Sequence, residues 1–242
     1  MNILTIEKSI DQMSKLKKTI LTYFPIHKFF HARSFSQEGE DMVLRGFYEG
    51  RKNYKGFYID VGAHHPYRFS NTMYFYKKGW RGINIEPSPE AMKWFKWFRK
   101  KDVNLNIGIS ESPQELTYYC FNEPALNGFS KEISEKRHGL NAKYHLLKTI
   151  PVPTLPLKEV LQKYVPKGKK IDFLSVDAEG FDLIVLNSND WQQYRPTFVL
   201  VEEELAIADL NQSEVFQLML QKGYALVAKT KRTLFFKNQE EN

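Results

Sequence analysis

An α/β fold built on a mostly parallel sheet is what this 242-residue sequence predicts. Three observations carry the expectation. From Ser36 onward, short apolar runs alternate with stretches of helical periodicity, the pattern of strand–helix–strand units. The runs at residues 56–61 and 171–176 are apolar almost throughout, as strands covered on both faces require. No internal repeat, low-complexity tract or Pro/Gly-rich linker divides the chain, so one domain is expected from residue 34 to residue 242.

The elements follow in order. Residues 3–24 place Ile3, Ile6, Ile10, Met13, Leu16, Ile20 and Phe24 at helical spacing, and Lys15, Lys17, Lys18, Lys28 and Arg33 make the segment basic. Residues 1–33 therefore read as an amphipathic helical extension, docked on the domain or a second copy, or drawn to anionic lipid. Ser36 is placed to cap a helix reaching Tyr48, with Glu38, Glu40 and Asp41 in its first turn. A strand at 56–61 precedes a helix at 70–78, which Gly79 stops. Residues 81–86 form the next strand; Ser88 and Pro89 then supply a cap and a first-turn proline for a helix carrying Met92, Phe95 and Phe98. Residues 103–109 make a third strand and 116–121 a fourth, at a sheet edge. Residues 122–150 are irregular and read as an insertion or lid. Strands at 171–176 and 197–201, the intervening helix of Leu183 and Leu186, a helix at 212–222 and a hairpin of 224–228 with 233–236 complete the chain.

Composition narrows the classes. With 42% hydrophobic and 26% charged residues the chain is neither disordered, collagen-like nor a coiled coil. Its single cysteine, Cys120, excludes a disulfide scaffold, a cysteine zinc site and an iron–sulfur cluster, suits a reducing compartment, and reads as a core residue. Glu7 and Asp11 interrupt any signal-peptide pattern, and no apolar run reaches membrane-span length, so a cytoplasmic location is expected, with a docked helix the favoured reading of residues 1–33 and a peripheral membrane contact the alternative. The net charge of +7 fits nucleic acid, an anionic membrane or a phosphorylated substrate and chooses none of them. Aromatics make up 14% of the chain. Tyr74, Phe75, Tyr76, Trp94, Phe95 and Phe98 read as packing, and Trp80, Phe121, Phe129 and Tyr144 as the border of an acceptor pocket.

In parallel sheets, ligands gather beyond the C-terminal strand ends. Here those ends carry Asp60-Val-Gly62-Ala63-His64-His65, Glu86-Pro87, Asn106 with Gly108, Asp177-Ala-Glu179-Gly180 and Glu202-Glu203-Glu204. Glu86 stands where a second-strand acid takes two ribose hydroxyls. Yet His64 and Pro66 occupy the places of further dinucleotide-fingerprint glycines, which argues against a pyrophosphate and for a nucleoside-like ligand such as S-adenosylmethionine. At most one or two of Glu202–Glu204 can face the crevice, by strand alternation.

The runs Ser36-Gln37-Glu38-Gly39-Glu40-Asp41, Tyr58-Ile-Asp-Val-Gly-Ala-His64, Ser70-Asn71-Thr72, Gly79-Trp80-Arg-Gly-Ile-Asn-Ile-Glu86-Pro87 and Ser175-Val-Asp177-Ala-Glu179-Gly180 resemble those of FkbM-type S-adenosylmethionine-dependent methyltransferases. The resemblance covers residues 34–236. It implies a Rossmann-like class I methyltransferase sheet, mostly parallel and seven-stranded with an antiparallel last strand, and helices on both faces. It implies methyl transfer to an oxygen of a sugar or natural product, the expected partner being a glycan or glycoconjugate. By position, Asp60, Gly62 and Ala63 would border the cofactor's methionine end, Glu86 with Pro87 its ribose, and Asn106, Ile107 and Gly108 its adenine, with Ser36 and Gln37 closing over. His64 and His65 occupy a turn that is often Asn-x-Gly in the wider family.

A sugar hydroxyl holds its proton tightly, so a positioned base matters; candidates are His64, His65, Asp177, Glu179 and Asp182, with a helix-capping role also expected of Glu179 or Asp182. The same five residues hold ligand types for a divalent metal, but no metal-binding spacing supports one. Two other classes stay open: a nucleic-acid methyltransferase, disfavoured because no RNA-binding module is recognisable, and a non-catalytic binding protein on the same fold. Association with a further copy of the chain is also left open.

Overall fold

The alternation in the sequence resolves into two sheets in a computed structural model that describes residues 32–138 and 143–240. The expected helix at 3–24 lies outside those residues. In chain order the described elements are α1 (Glu40–Phe47), β1 (Phe57–Val61), α2 (Met73–Lys77), β2 (Arg81–Ile85), α3 (Pro89–Phe98), β3 (Val103–Leu105), β4 (Gly108–Ile109), β5 (Gln114–Phe121), α4 (Lys131–Arg137), β6 (Leu146–Leu155), α5 (Leu157–Tyr164), β7 (Phe173–Val176), α6 (Asp182–Asn187), β8 (Phe198–Glu202), α7 (Glu214–Gln221), β9 (Tyr224–Lys229) and β10 (Thr233–Asn238). Seven strands form the main sheet in the order β3-β2-β1-β7-β8-β10-β9. β10 runs antiparallel to both neighbours, and the other pairings are parallel.

Period-two alternation assigns the two faces of this sheet. Ile59, Leu174, Val176, Val199, Val201, Leu234 and Phe236 face an aliphatic layer made with Leu157, Val160 and Leu161 of α5, Val185 and Leu186 of α6 and Met219 of α7. Tyr58, Phe173, Phe198, Leu200 and Phe235 face a largely aromatic layer completed by Leu44 and Tyr48 of α1, Phe75 of α2 and Trp80. Much of the aromatic share is thus one side of the core, where ring pairs such as Phe75–Trp80 at 4.7 Å and Tyr48–Trp80 at 4.9 Å interlock.

Several expectations need correction. The stretch 103–109 is two strands: β3 ends the main sheet, and β4 turns away to join a three-stranded sheet of order β4-β6-β5. The strand expected at 116–121 is β5, antiparallel to β6 and separate from the main sheet. The helix expected at 36–48 begins only at Glu40. The Asp41 carboxylate gathers Ser34 Oγ, the Phe35 N–H and Ser36 Oγ, and a charged acceptor with three donors holds residues 34–36 in a loop instead. The helix expected at 70–78 starts at Met73, whose N–H is held by Ser70 Oγ at 3.1 Å. Ser88 behaves as expected: its Oγ accepts the Ala91 N–H at 3.3 Å, with Pro89 in the first turn. Trp80 and Phe121 belong to the interior, whereas Trp94 and Phe98 are exposed. Cys120 is buried and packs beside Tyr118 and Val152. Among the described residues no helix is long and apolar enough to cross a membrane.

Candidate active site

Strand register builds the site. Val61 of β1 lies opposite Ile85 of β2 and Val176 of β7, and Val176 lies opposite Val201 of β8. The next residues, Gly62, Glu86, Asp177 and Glu202, therefore emerge level with one another at the C-terminal edge, and all four line one cavity of about 400 Å³. Gly62 is forced by its surroundings: its φ is 75°, and a Cβ there would lie 1.7 Å from the Asp177 carbonyl oxygen. Three of the four non-glycine residues with positive φ among the described residues, His64, Phe69 and Glu179, also line this cavity. Such backbone strain concentrates where a site over-determines conformation.

The remaining candidates divide. Asp60, Ala63, His64, Pro87, Ile107, Gly108 and Gln37 line the cavity; Ser36, His65, Asn106 and Asp182 do not. Ser36 is tied to Asp41 at 2.9 Å. His65 Nδ1 accepts the N–H groups of Tyr67 and Arg68 at 3.1 and 3.0 Å, the bonds of a turn histidine. Asn106 spends its amide on the carbonyls of Glu86 and Pro87, fixing the bend where β3 gives way to β4. Asp182 accepts the N–H groups of Ala178 and Gly180 and so shapes the loop carrying Glu179. Glu179 does not cap a helix; it pairs with Arg137 of α4.

Of the Ser36–Asp41 run, Gln37 lines the cavity, and its acids have a structural task. Glu38 accepts from the Arg232 N–H and guanidinium, and Glu40 from the Thr230 and Thr233 hydroxyls. They fasten the β9–β10 hairpin. Sequence reasoning missed Arg68, Arg137 and Arg232 as cavity residues, since each arrives from a loop or helix whose approach is tertiary. From the insertion, Phe129 and Tyr144 line the cavity as well.

The electrostatics oppose the sign suggested by net charge. Seven carboxylates and three guanidiniums line the cavity. Each guanidinium is already engaged: Arg68 with Glu123 at 2.8 Å, Arg137 with Glu179, and Arg232 with Glu38 at 2.8 Å and Glu204 at 3.3 Å. Glu86 is 4% exposed, and its two oxygens accept the N–H groups of His64 and Ser88, each at 2.7 Å. Burial nonetheless pushes its pKa up to about 7. Burial likewise raises Asp60 to about 6, against the opposing Thr72 hydroxyl bond and the Arg99 charge. Asp177 is open to the cavity, although protein surrounds its carboxylate. That enclosure, followed by the charges of Glu202, Glu179, Asp182 and Asp60, lifts its pKa well above the carboxylate range. Water in the cavity relieves part of the enclosure, so crowding by like charge is the cause that persists. Glu202 is raised to about 8, by burial and then by Glu179 and Asp182. His64 is lowered to about 4 by burial and the Arg68 charge, leaving a neutral imidazole at neutral pH.

One oxygen from each of Asp177, Glu179 and Glu202 lies within 4.8 Å of the others. Among the described residues this trio, rather than the five residues considered in sequence, has the geometry of a metal-ligand set. The Glu202–Glu204 triplet obeys strand alternation: Glu202 and Glu204 line the cavity and Glu203 does not.

Among solved structures, the chain is similar to precorrin-6y C5,15-methyltransferase from Geobacter metallireducens at 12% identity, covering 86% of this chain and 93% of that one with a TM-score of 0.42. It is also similar to an SAH-bound methyltransferase from Podospora anserina at 10% identity, covering 99% and 97% with a TM-score of 0.44. These likenesses are faint. No curated protein matches the sequence. The family described as the methyltransferase FkbM domain matches residues 60–226, more than half of the chain, and spans the strand ends Asp60, Glu86, Asp177 and Glu202 that build the cavity. This chain belongs to the FkbM methyltransferase domain family.

Proposed function

We propose that this chain takes S-adenosylmethionine as methyl donor and transfers the methyl to a hydroxyl of a sugar on a glycan or glycoconjugate. The observation that carries the donor is Glu86, buried at the end of β2 with each oxygen oriented by a backbone N–H. Each oxygen keeps acceptor capacity, and two vicinal ribose hydroxyls can use it. The cavity volume is in the range of small-molecule sites. Its acid-rich lining, with every guanidinium engaged, suits a ligand bearing an ammonium and a sulfonium and disfavours a pyrophosphate. When bound, this cofactor supplies a methyl already activated on positively charged sulfur.

The chain's residues then bind, orient and accept a proton. Gly62, Ala63 and Asp60 border the methionine end, and Ile107 and Gly108 the adenine. The acceptor hydroxyl must surrender its proton as oxygen attacks in line. Asp177, which opens to the cavity beside Glu202, takes it: the crowded carboxylates raise each other's proton affinity, Glu202 to about 8, and a carboxylate must have its affinity raised to hold the proton it accepts. His64, at about 4, is a weaker base, and Glu179 is committed to Arg137. Phe129 and Tyr144 offer faces for a sugar ring.

Isothermal titration with S-adenosylhomocysteine tests the donor. Binding is expected, and Glu86→Ala should weaken it by about tenfold or more, since a hydrogen bond to a charged group contributes about 1.5–3 kcal/mol. No binding at millimolar ligand sinks the reading. For the acceptor, methyl-labelled donor should mark a carbohydrate fraction that survives ribonuclease and protease, and Asp177→Asn should abolish labelling while preserving cofactor binding.

A further inference from the structure

The positive charge that the cavity does not hold is concentrated elsewhere. On α3, Met92 and Phe95 are buried and pack against Ala63 of the cavity. With about 3.6 residues per turn, Trp94 and Trp97 project from the opposite side of the helix. They are 53% and 67% exposed, a costly way to leave two of the largest apolar side chains. Lys93 and Lys96 flank them and Lys100 and Lys101 follow; the Lys100 ammonium lies 5.1 Å from the Trp97 ring centre. The only acid of the helix, Glu90, is paired with Lys148 at 3.0 Å. Phe98 stacks on Trp94 at 6.0 Å and meets Tyr67 at 5.3 Å. The face therefore continues into the loop that carries His64 and Arg68 at the cavity.

We propose that the outer face of α3, centred on Trp94 and Trp97 and framed by Lys93, Lys96, Lys100 and Lys101, seats the protein on an anionic lipid bilayer. Charge complementarity selects that occupant. Indole rings settle at the level of lipid headgroups, and each lysine near a negative surface adds attraction. Trp94 is already stacked on Phe98 and Trp97 carries the Lys100 ammonium, whereas single-stranded nucleic acid is held in a charged groove with rings open to bases. Seated so, the enzyme would hold its cavity beside the lipid surface and meet acceptors anchored there.

Co-sedimentation of the full chain with vesicles of phosphatidylcholine containing about one-third phosphatidylglycerol tests the idea, with pure phosphatidylcholine as control. Binding is expected only to the anionic vesicles, reversed by high salt, with a blue shift in tryptophan emission; the buried Trp80 and Trp191 give a constant background. Trp94→Ser with Trp97→Ser should weaken partitioning by about tenfold or more. Neutralising each lysine should cost about fivefold. Because every variant retains residues 1–33, equal binding by parent and double-tryptophan variant places contact elsewhere and overturns the proposal. So does failure of the parent to bind, or quenching of Trp94 and Trp97 by a uridine oligonucleotide, or loss of self-association in the variant, without vesicle binding. Unchanged thermal melting of the variant shows that the fold is intact.

Discussion

At the scale of single residues, function rests on carboxylates forced together where strands end. The ordinary glutamate value is 4.5, and the fold raises Glu86 to about 7 and Glu202 to about 8. An acid raised by folding holds its proton more tightly folded than unfolded, so between those values the native state binds more protons and loses stability as pH rises. The melting temperature of the ligand-free protein should therefore fall from about pH 5 to about pH 8 and then level, with Glu202→Gln flattening the upper part. Calorimetry at constant ionic strength checks this; a rise across the window rejects it. Asp60, Gly62, Glu86 and Asp177 were legible in sequence because each closes an apolar run. Asn106 was misplaced: its side chain serves the backbone of Glu86 and Pro87, a bond that no residue pattern announces. Arg137 was invisible, since only the packing of α4 brings it to Glu179.

At the scale of elements, local chemistry decided what could be foreseen. α3 was legible from its cap and proline, and that cap also serves the site, because the Ser88 N–H donates to Glu86 while its hydroxyl holds the first turn. Ser88→Ala should cost about 1 kcal/mol and lower the melting temperature by about 2–4 °C. The substitution keeps the N–H donor, so cofactor-product affinity should change far less than in Glu86→Ala, and a comparable loss in titration would contradict the division of roles. β6 escaped because Pro151 and Pro153 interrupt it. There β6 pairs only with β5, since β4 reaches no further than Thr154 and Leu155, and an open edge tolerates missing N–H groups. The exposed side of α3 reads as packing in the sequence because helical periodicity shows which residues share a face but not what covers it.

At the scale of the whole molecule, the fold sorts its materials: mostly aliphatic side chains on one face of the sheet, mostly rings on the other, acids in the cavity and lysines outside it. Behind the cavity lies a buried polar layer. Arg99 donates to Asp102 at 2.9 Å, to Tyr58 at 2.7 Å and to Thr72 at 3.0 Å, and Thr72 donates to Asp60 at 2.8 Å. Both partners of the Arg99–Asp102 pair are fully buried, and Arg99 Nη1 has no hydrogen-bond partner. Asp102→Ala strands a buried cation and should cost about 3–5 kcal/mol in denaturant unfolding. Pairing it with Arg99→Met should recover part of that loss; a double variant as unstable as the sum of its parts would show the two residues to be uncoupled. The sheet order carries a consequence for how the molecule is made. β10 lies between β8 and β9 yet is synthesised after both. Until residues 233–238 leave the ribosome, Val199, Val201 and Tyr224 await the strand that joins their layers, and two unpaired edges stand open. Until then the facing edges of β8 and β9 are open to wrong pairing, and the sheet can close only when β10 is available to fill the gap.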